Sequence, residues 1–315
     1  WETNNKAEIG LELAMFDNRL TFSSSYYLNR SSGQLVGLPL PIMTGQSSVQ
    51  FNLPAKVQNS GLELLLTSTI IRKTKFEWAT TFNVTIPRNK LLEFPNLQEF
   101  PAYIARYDVG KSVYTYKAYQ FDGVNPENGL YQIADRNNDG QYSGPADYIG
   151  LKQNTQSFFG GFSNSVRYGG FKFELFFQFV KQNGFSYRQS FAYPGSLSNQ
   201  PDVVMNRWQQ AGDVAGIQRF SGTDPTGEVG LAYYYQLASD HNIVDASFIR
   251  LKNASLSWQL PSALLAKTAI RDARIFVQGQ NLFTITNYIG LDPETQTSLA
   301  LPPLRIVSVG FHLTL

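Results

Sequence analysis

Apolar and polar residues alternate with a period of two along most of the chain. Over 20–28 one face reads Leu20, Phe22, Ser24, Tyr26, Leu28 and the other Thr21, Ser23, Ser25, Tyr27. Phe76, Trp78, Phe82, Val84 and Ile86 oppose Glu77, Ala79, Thr81, Asn83 and Thr85, and Phe171, Phe173, Leu175, Phe177 and Phe179 oppose Lys172, Glu174 and Gln178. This pattern predicts extended strands with one apolar face. Nine are expected, near 6–16, 19–30, 58–71, 76–88, 158–167, 171–181, 247–259, 273–283 and 304–315. Each runs about 10–13 residues, where soluble strands average about 5–6 and a tilted strand needs roughly 9–11 to cross a bilayer.

The predicted connections alternate in length. Short ones fall at Asp17-Asn18, at 72–75 and at 168–170, and a fourth holds a short helix predicted over 261–269. Long ones span roughly 31–57, 89–157, 182–246 and 284–303. Antiparallel succession puts every short turn at one rim and every long loop at the other. Outer-membrane barrels have that asymmetry, with short periplasmic turns and long extracellular loops. The fold class expected is therefore all-β: a transmembrane antiparallel β-barrel. Nine strands is an odd number, and the pattern is already under way near Trp1, so further strands are expected upstream. A soluble sandwich or propeller would give shorter strands and more even loops, and no repeat of fixed period is visible.

Composition fits a lipid-facing wall. Charged residues make up 16% of the 315 and aromatics 14%, with 23 Phe and 17 Tyr, as expected of few outward charges and aromatic girdles. No apolar run is long enough for a transmembrane helix. The absence of cysteine excludes disulfides and thiolate metal sites. A net charge of +2 without a basic run points away from nucleic acid.

Several segments together resemble the C-terminal barrel portion of the SusC/RagA family of TonB-dependent outer-membrane transporters. They are the stretch from Asp245 to Pro261 (DASFIRLKNASLSWQLP), 273–283 (ARIFVQGQNLF), Gly290-Leu-Asp-Pro-Glu294 and the closing strand after Pro302-Pro303. Asn59-Ser-Gly-Leu-Glu63, Asn206-Arg-Trp208 and Gly160-Gly-Phe-Ser-Asn164 fit in the same order. The resemblance implies a barrel of about 22 strands around an N-terminal plug, of which this chain supplies about the last nine. It would begin in the fourteenth, a descending strand, and the loop lengths independently make the first strand descend. The plug domain is expected outside this chain, with 1–315 forming barrel wall and loops. The resemblance further implies location in the outer membrane of a Gram-negative cell, among its lipid, and active import of oligosaccharides or peptides. It implies a SusD-like surface lipoprotein over the mouth, TonB acting through the missing plug, and a homodimer of transporter–lid pairs.

Candidate chemistry is sparse. Asp135-Arg-Asn-Asn-Asp-Gly140 has the form that opens a calcium loop, with oxygen ligands on Asp135, Asn137 and Asp139. The twelfth position is Ala146 rather than Glu, and Asp147 stands one residue late. The readings are a structural Ca2+ or an ion-free Asx-rich turn, and no other cofactor is expected. Tyr103, Tyr107, Tyr114, Tyr116, Tyr119 and Trp208 are candidates for stacking on sugar rings or peptide, against the alternative that they pack the loops. Glu8, Glu12, Glu63, Glu77 and Glu174 are read as charges in a hydrated interior rather than a glycosidase pair. His241 and His312 lie in no triad or metal pattern, so enzymatic activity is not expected. The competing readings are a passive channel or surface-binding barrel, a barrel enzyme, and one body of a larger assembly.

Overall fold

Fourteen strands form among the described residues, which in this computed structural model are 1–40, 42–153, 155–222, 226–297 and 299–315. They are β1 (Thr3–Met15), β2 (Leu20–Pro39), β3 (Ser48–Arg72), β4 (Phe76–Glu93), β5 (Thr115–Tyr119), β6 (Phe121–Val124), β7 (Tyr131–Ile133), β8 (Tyr148–Gln153), β9 (Gln156–Tyr168), β10 (Phe171–Phe185), β11 (Ile243–Asp245), β12 (Phe248–Gln259), β13 (Asp272–Thr286) and β14 (Ile306–Thr314). The α-helices are α1 (Pro101–Ile104), α2 (Gly144–Asp147), α3 (Glu228–Leu237) and α4 (Ser262–Leu265). No helix among the described residues is long and apolar enough to cross a membrane.

The nine predicted strands are all present and make one antiparallel sheet, ordered β1-β2-β3-β4-β9-β10-β12-β13-β14, with β11 paired to the end of β10. Directly paired residues share a face, so the register sorts the wall into two surfaces. On β4 the apolar surface carries Phe76, Trp78, Thr80, Phe82, Val84 and Ile86, matched on β9 by Tyr168, Val166, Asn164, Phe162 and Gly160. Its one polar pair is self-contained, Trp78 Nε1 donating to Asn164 Oδ1 at 3.0 Å. At the short-turn end Phe171 stacks on Trp258 at 5.7 Å and Phe76 meets Tyr168 at 6.4 Å, an aromatic girdle. Among the described residues this surface stays open: Phe82 is 38% exposed, Phe173 41%, Ile9 73% and Phe311 74%. Each such side chain gains about 1.5–3 kcal/mol from an apolar surrounding, which is why the face belongs against lipid.

The opposite surface is polar and partly ion-paired. Arg167 meets Glu77 and Lys172 meets Glu174, each at 2.8 Å, and Ser25 Oγ donates to Glu8 at 2.5 Å.

Two expectations are corrected, and the long connections prove to be structured. The segment 31–57 is mostly ladder, not loop: after a bulge between Ser32 and Gln34, β2 and β3 stay paired from Gln34↔Leu53 to Pro39↔Ser48. Gly33, with φ +65°, takes the left-handed turn that resets the period and hides the continuation from a simple alternation count. The loops 89–157 and 182–246 hold β5–β8, α1–α3 and β11, because each buries its own apolar side chains. The helix predicted over 261–269 is one turn, Ser262–Leu265, ended where Thr268 Oγ1 donates back to the Leu265 carbonyl at 2.8 Å.

Candidate functional site

The two largest loops pack into one body over the polar face. Helix α3 buries Val229, Ala232 and Gln236, and β7 buries Tyr131 and Ile133. Gln218, fully buried, links the two: its Nε2 donates to the Val229 carbonyl at 3.1 Å and its Oε1 accepts from Tyr131 N at 3.5 Å. Tyr233 ties α3 to 188–191, its hydroxyl donating to the Phe191 carbonyl at 2.9 Å. His241 lies against Phe121 at 4.4 Å between ring centroids. Burial lowers its pKa from 6.5, Arg188 lowers it further, and Asp240 opposes them. The unfolded chain therefore takes a proton before the folded loop does. Stability contributed by neutral His241 is present at neutral pH and is lost as pH falls below about 6.5 toward the depressed folded value. Protection of amides in 119–133 of the whole protein from hydrogen exchange, measured relative to the intrinsic rate at each pH, is expected to fall on acidification and to lose that dependence in His241→Leu; an equal pH response in both would refute the assignment.

The structure separates the aromatic candidates. Tyr103 and Tyr107 pack with each other at 5.9 Å, and Tyr103 lies 6.0 Å from Phe94. Both join the cluster of Leu53, Ala55, Leu91 and Phe94. Tyr119 is buried, 4.8 Å from Tyr148 and 5.5 Å from Tyr235, and burial pushes its hydroxyl pKa far up. Trp208 lies over Gly129 and donates from Nε1 to the Pro126 carbonyl at 2.9 Å. These four hold the loops together. Tyr114 and Tyr116 instead face open space. Tyr116, edge-on to Phe185 at 5.5 Å, lines a cleft of about 610 Å³ together with Arg106, Tyr148 and Tyr234. Tyr114, exposed, lines both that cleft and a neighbour of about 580 Å³.

The second cleft sits where the wall meets the loops. The polar face supplies Tyr27, Asn59, Asn89, Phe159 and Gln182, and the loops supply Tyr114, Thr155 and Gln296. Its amides also position the loops. Asn89 Nδ2 donates to Asn59 Oδ1 at 2.7 Å, and Asn89 Oδ1 accepts from Val113 N at 2.8 Å. Gln182 Nε2 donates to the Pro293 carbonyl at 2.9 Å, and Gln296 Oε1 accepts from Phe185 N at 3.2 Å. Thr155 Oγ1 is buried with no partner among the described residues. The lining carries no carboxylate, and Arg88, whose side chain belongs to the opposite face by register, borders it as its one cation. It can hydrogen-bond and stack on a polar ligand, and it offers no acid–base pair. The sequence reading missed these amides. Asn59 did lie in a segment singled out there, but nothing marked its side chain.

A buried ion cluster fixes the last loop beside this cleft. Arg250, on the polar face of β12 and 1% exposed, donates through Nε to Thr284 Oγ1 at 2.9 Å and through Nη1 to Glu294 at 2.8 Å. Its Nη2 donates to the carboxylate of Asp292, itself 4% exposed. Asp292 Oδ1 accepts from Glu294 N at 2.9 Å, closing an Asx turn, and Lys252 lies 3.6 Å from Glu294. Arg250 and Asp292 fall in two segments that carried the family resemblance, but alternation cannot pair them.

The calcium-loop candidate is closed by its own hydrogen bonds. Asp147, fully buried, accepts from Ser143 N and Arg136 N, each at 2.9 Å, which holds its carboxyl below the ordinary range. Asp135 accepts from Gly140 N at 2.8 Å, Asp139 from Gln141 N at 2.8 Å, and Asn137 Nδ2 donates to Asp139 at 2.8 Å. Among the described residues no group of three or more His, Asp or Glu is placed to hold a metal ion.

No family model matches the chain. Among curated proteins it is 29% identical to TonB-dependent receptor P3 of Formosa agariphila, over 93% of this chain and 31% of that protein. It is 23% identical to TonB-dependent receptor SusC of Bacteroides thetaiotaomicron, over 96% of this chain and 30% of that protein. The chain thus spans about a third of the length of these relatives. Its fold matches a chain of the RagAB peptide importer in the open-open state with a TM-score of 0.80 at 21% identity, covering 100% of this chain and 35% of that one. In sequence the chain is similar to part of TonB-dependent receptors, SusC among them, and in fold it is an all-β barrel segment like part of the RagAB peptide importer.

Proposed function

We propose that this chain forms wall and loops of an outer-membrane importer that takes up oligosaccharides or peptides actively. The observation that carries this reading is the cleft between the polar face and the loop body, lined by amides, phenols and Phe159, bordered by Arg88 and without a carboxylate. Such a surface matches the hydroxyls of a glycan or the backbone amides of a peptide, with rings to stack on. The names of the relatives support TonB coupling, exerted through a plug contributed by another part of the whole protein. A SusD-like lipoprotein is proposed as the lid above the loops, and a pair of such complexes as the assembly. The loop 135–147 serves as a structural turn that calcium would tighten.

Uptake by cells carrying the whole protein tests the reading. Labelled oligosaccharides or peptides are expected to enter only while the proton gradient and TonB are intact. Entry that persists without them would mean a passive channel instead. Tyr114→Ala is expected to raise the KM for uptake by about two- to tenfold, the worth of one aromatic contact, and leave the amount of assembled protein unchanged. An unaltered KM would remove Tyr114 and this cleft from the substrate path.

A further inference from the structure

The apolar surface ends differently at its two rims. On β4 the outward positions run from Phe76 to Ile86 without a charge and continue as Arg88 and Lys90. Ten steps of strand cover about 34 Å, or roughly 26 Å of height at a tilt of about 40°, the thickness of a barrel's apolar band. The cations therefore begin where the hydrocarbon stops, at the long-loop end. The register puts Arg30, Gln58 and Lys90 side by side on β2, β3 and β4, all on the outward face, with Arg88 one outward position nearer the apolar band. Strands lie about 4.8 Å apart and residues rise about 3.4 Å each, so three cations fall within about 12 Å.

Their own partners leave them unneutralised. Arg30 Nε donates to Gln58 Oε1 at 2.8 Å, and Arg88 Nη1 donates to the carbonyls of Pro87 at 2.9 Å and Ser157 at 3.2 Å. None of the three has a carboxylate among the described salt bridges, whereas their outward neighbours Lys56 and Lys181 do, meeting Glu93 and Asp245 at 2.7 Å each. At the other rim the outward ladder ends in Phe76, Tyr168, Phe171 and Trp258, and the cations Lys73 and Lys75 lie in or beside the turn. Like charges so close, beside a low-dielectric band, call for an anion at that height. Guanidinium groups suit phosphate in particular.

We infer that Arg30, Arg88 and Lys90 form a binding site for the phosphate of a net-anionic lipid headgroup in the outer leaflet, with its acyl chains lying on Leu28, Leu62 and Ile86 below. This rests on the sheet standing in the outer membrane with its loops outward. It is independent of what is transported.

Native mass spectrometry of the whole complex, titrated with lipid A or with zwitterionic phosphatidylethanolamine, tests the site. Lipid A is expected to bind preferentially. Each cation is worth about fivefold near a charged surface, so Arg30→Gln with Arg88→Gln and Lys90→Gln should weaken lipid A binding on the order of a hundredfold. Lys73→Gln with Lys75→Gln should leave it unchanged. Should the triple variant fail to assemble, as judged by heat-modifiable gel migration, Lys90→Gln alone carries the test through its fivefold. Equal binding of both lipids, or retention of lipid A by the variants, would overturn the site. A protein absent from the outer-membrane fraction would instead overturn the membrane reading beneath it.

Discussion

Arg250→Ala is expected to destabilise the whole protein by about 3–5 kcal/mol and to open the last loop to protease, because it strands the buried Asp292 carboxylate. Asp292→Leu should cost a similar amount, leaving the guanidinium without its deepest partner. The diagnostic result is non-additivity: Arg250→Met combined with Asp292→Leu should recover much of either loss, since an apolar pair of similar size removes the desolvation penalty of both ions. Thermal melting in detergent and limited proteolysis within 287–303 measure both effects. Single variants that melt with the parent would mean that the cluster is solvated and does not hold the loop. Because Gln182 and Gln296 bridge the same loop to β10, opening it should also disorder the cleft.

Gly160→Ala is expected to cost at least about 3 kcal/mol and to reduce the amount of barrel assembled in the membrane, the upper end of what overpacking does. A Cβ at Gly160 would overlap the backbone carbonyl of Asn83 in the neighbouring strand, with the Phe179 ring 2.6 Å away. The carbonyl belongs to the β4–β9 ladder and cannot move without breaking it. Gly161→Ala, one residue on, makes the internal control. There the Cβ would approach only the Phe176 ring, at 2.6 Å, and the Asn83 side chain, at 3.4 Å, and a side chain can rotate away. The heat-modifiable fraction in outer membranes should drop sharply for the first and little for the second. Equal losses would mean that the two strands pair differently.

The wall was legible because period two admits one arrangement once the strand is long. Phe76 to Ile86 and Phe171 to Phe179 each fix a face, and a slip of one residue would turn every aromatic to the wrong side. The arm beyond Ser32 was not legible, because one bulge at Gly33 shifts the phase and a phase shift reads as the end of a strand. The loop body escaped for another reason. The run Tyr233-Tyr234-Tyr235 in α3 carries rings on several sides, so it shows no single apolar stripe. Its fold is set by partners far along the chain, such as Gln218 and Tyr119. The candidate site was half legible. A tyrosine that packs and a tyrosine that binds are the same residue in sequence, and only burial separates Tyr103 from Tyr114. Arg250 and Asp292 lie 42 residues apart, and neither signals its partner.

The arm formed by the far halves of β2 and β3 has a mechanical consequence. From Arg30 at the rim to Pro39 it extends about 30 Å along the strand. It is braced about two thirds of the way out, where Phe51 pairs with Val36 and meets Phe100 at 6.0 Å, and Phe100 in turn packs on Phe94. It is a stiff post rather than a slack tether. A protein that settles on its tip meets a surface already ordered, so little entropy is lost on contact, and a load applied there is carried by ladder hydrogen bonds straight into the wall.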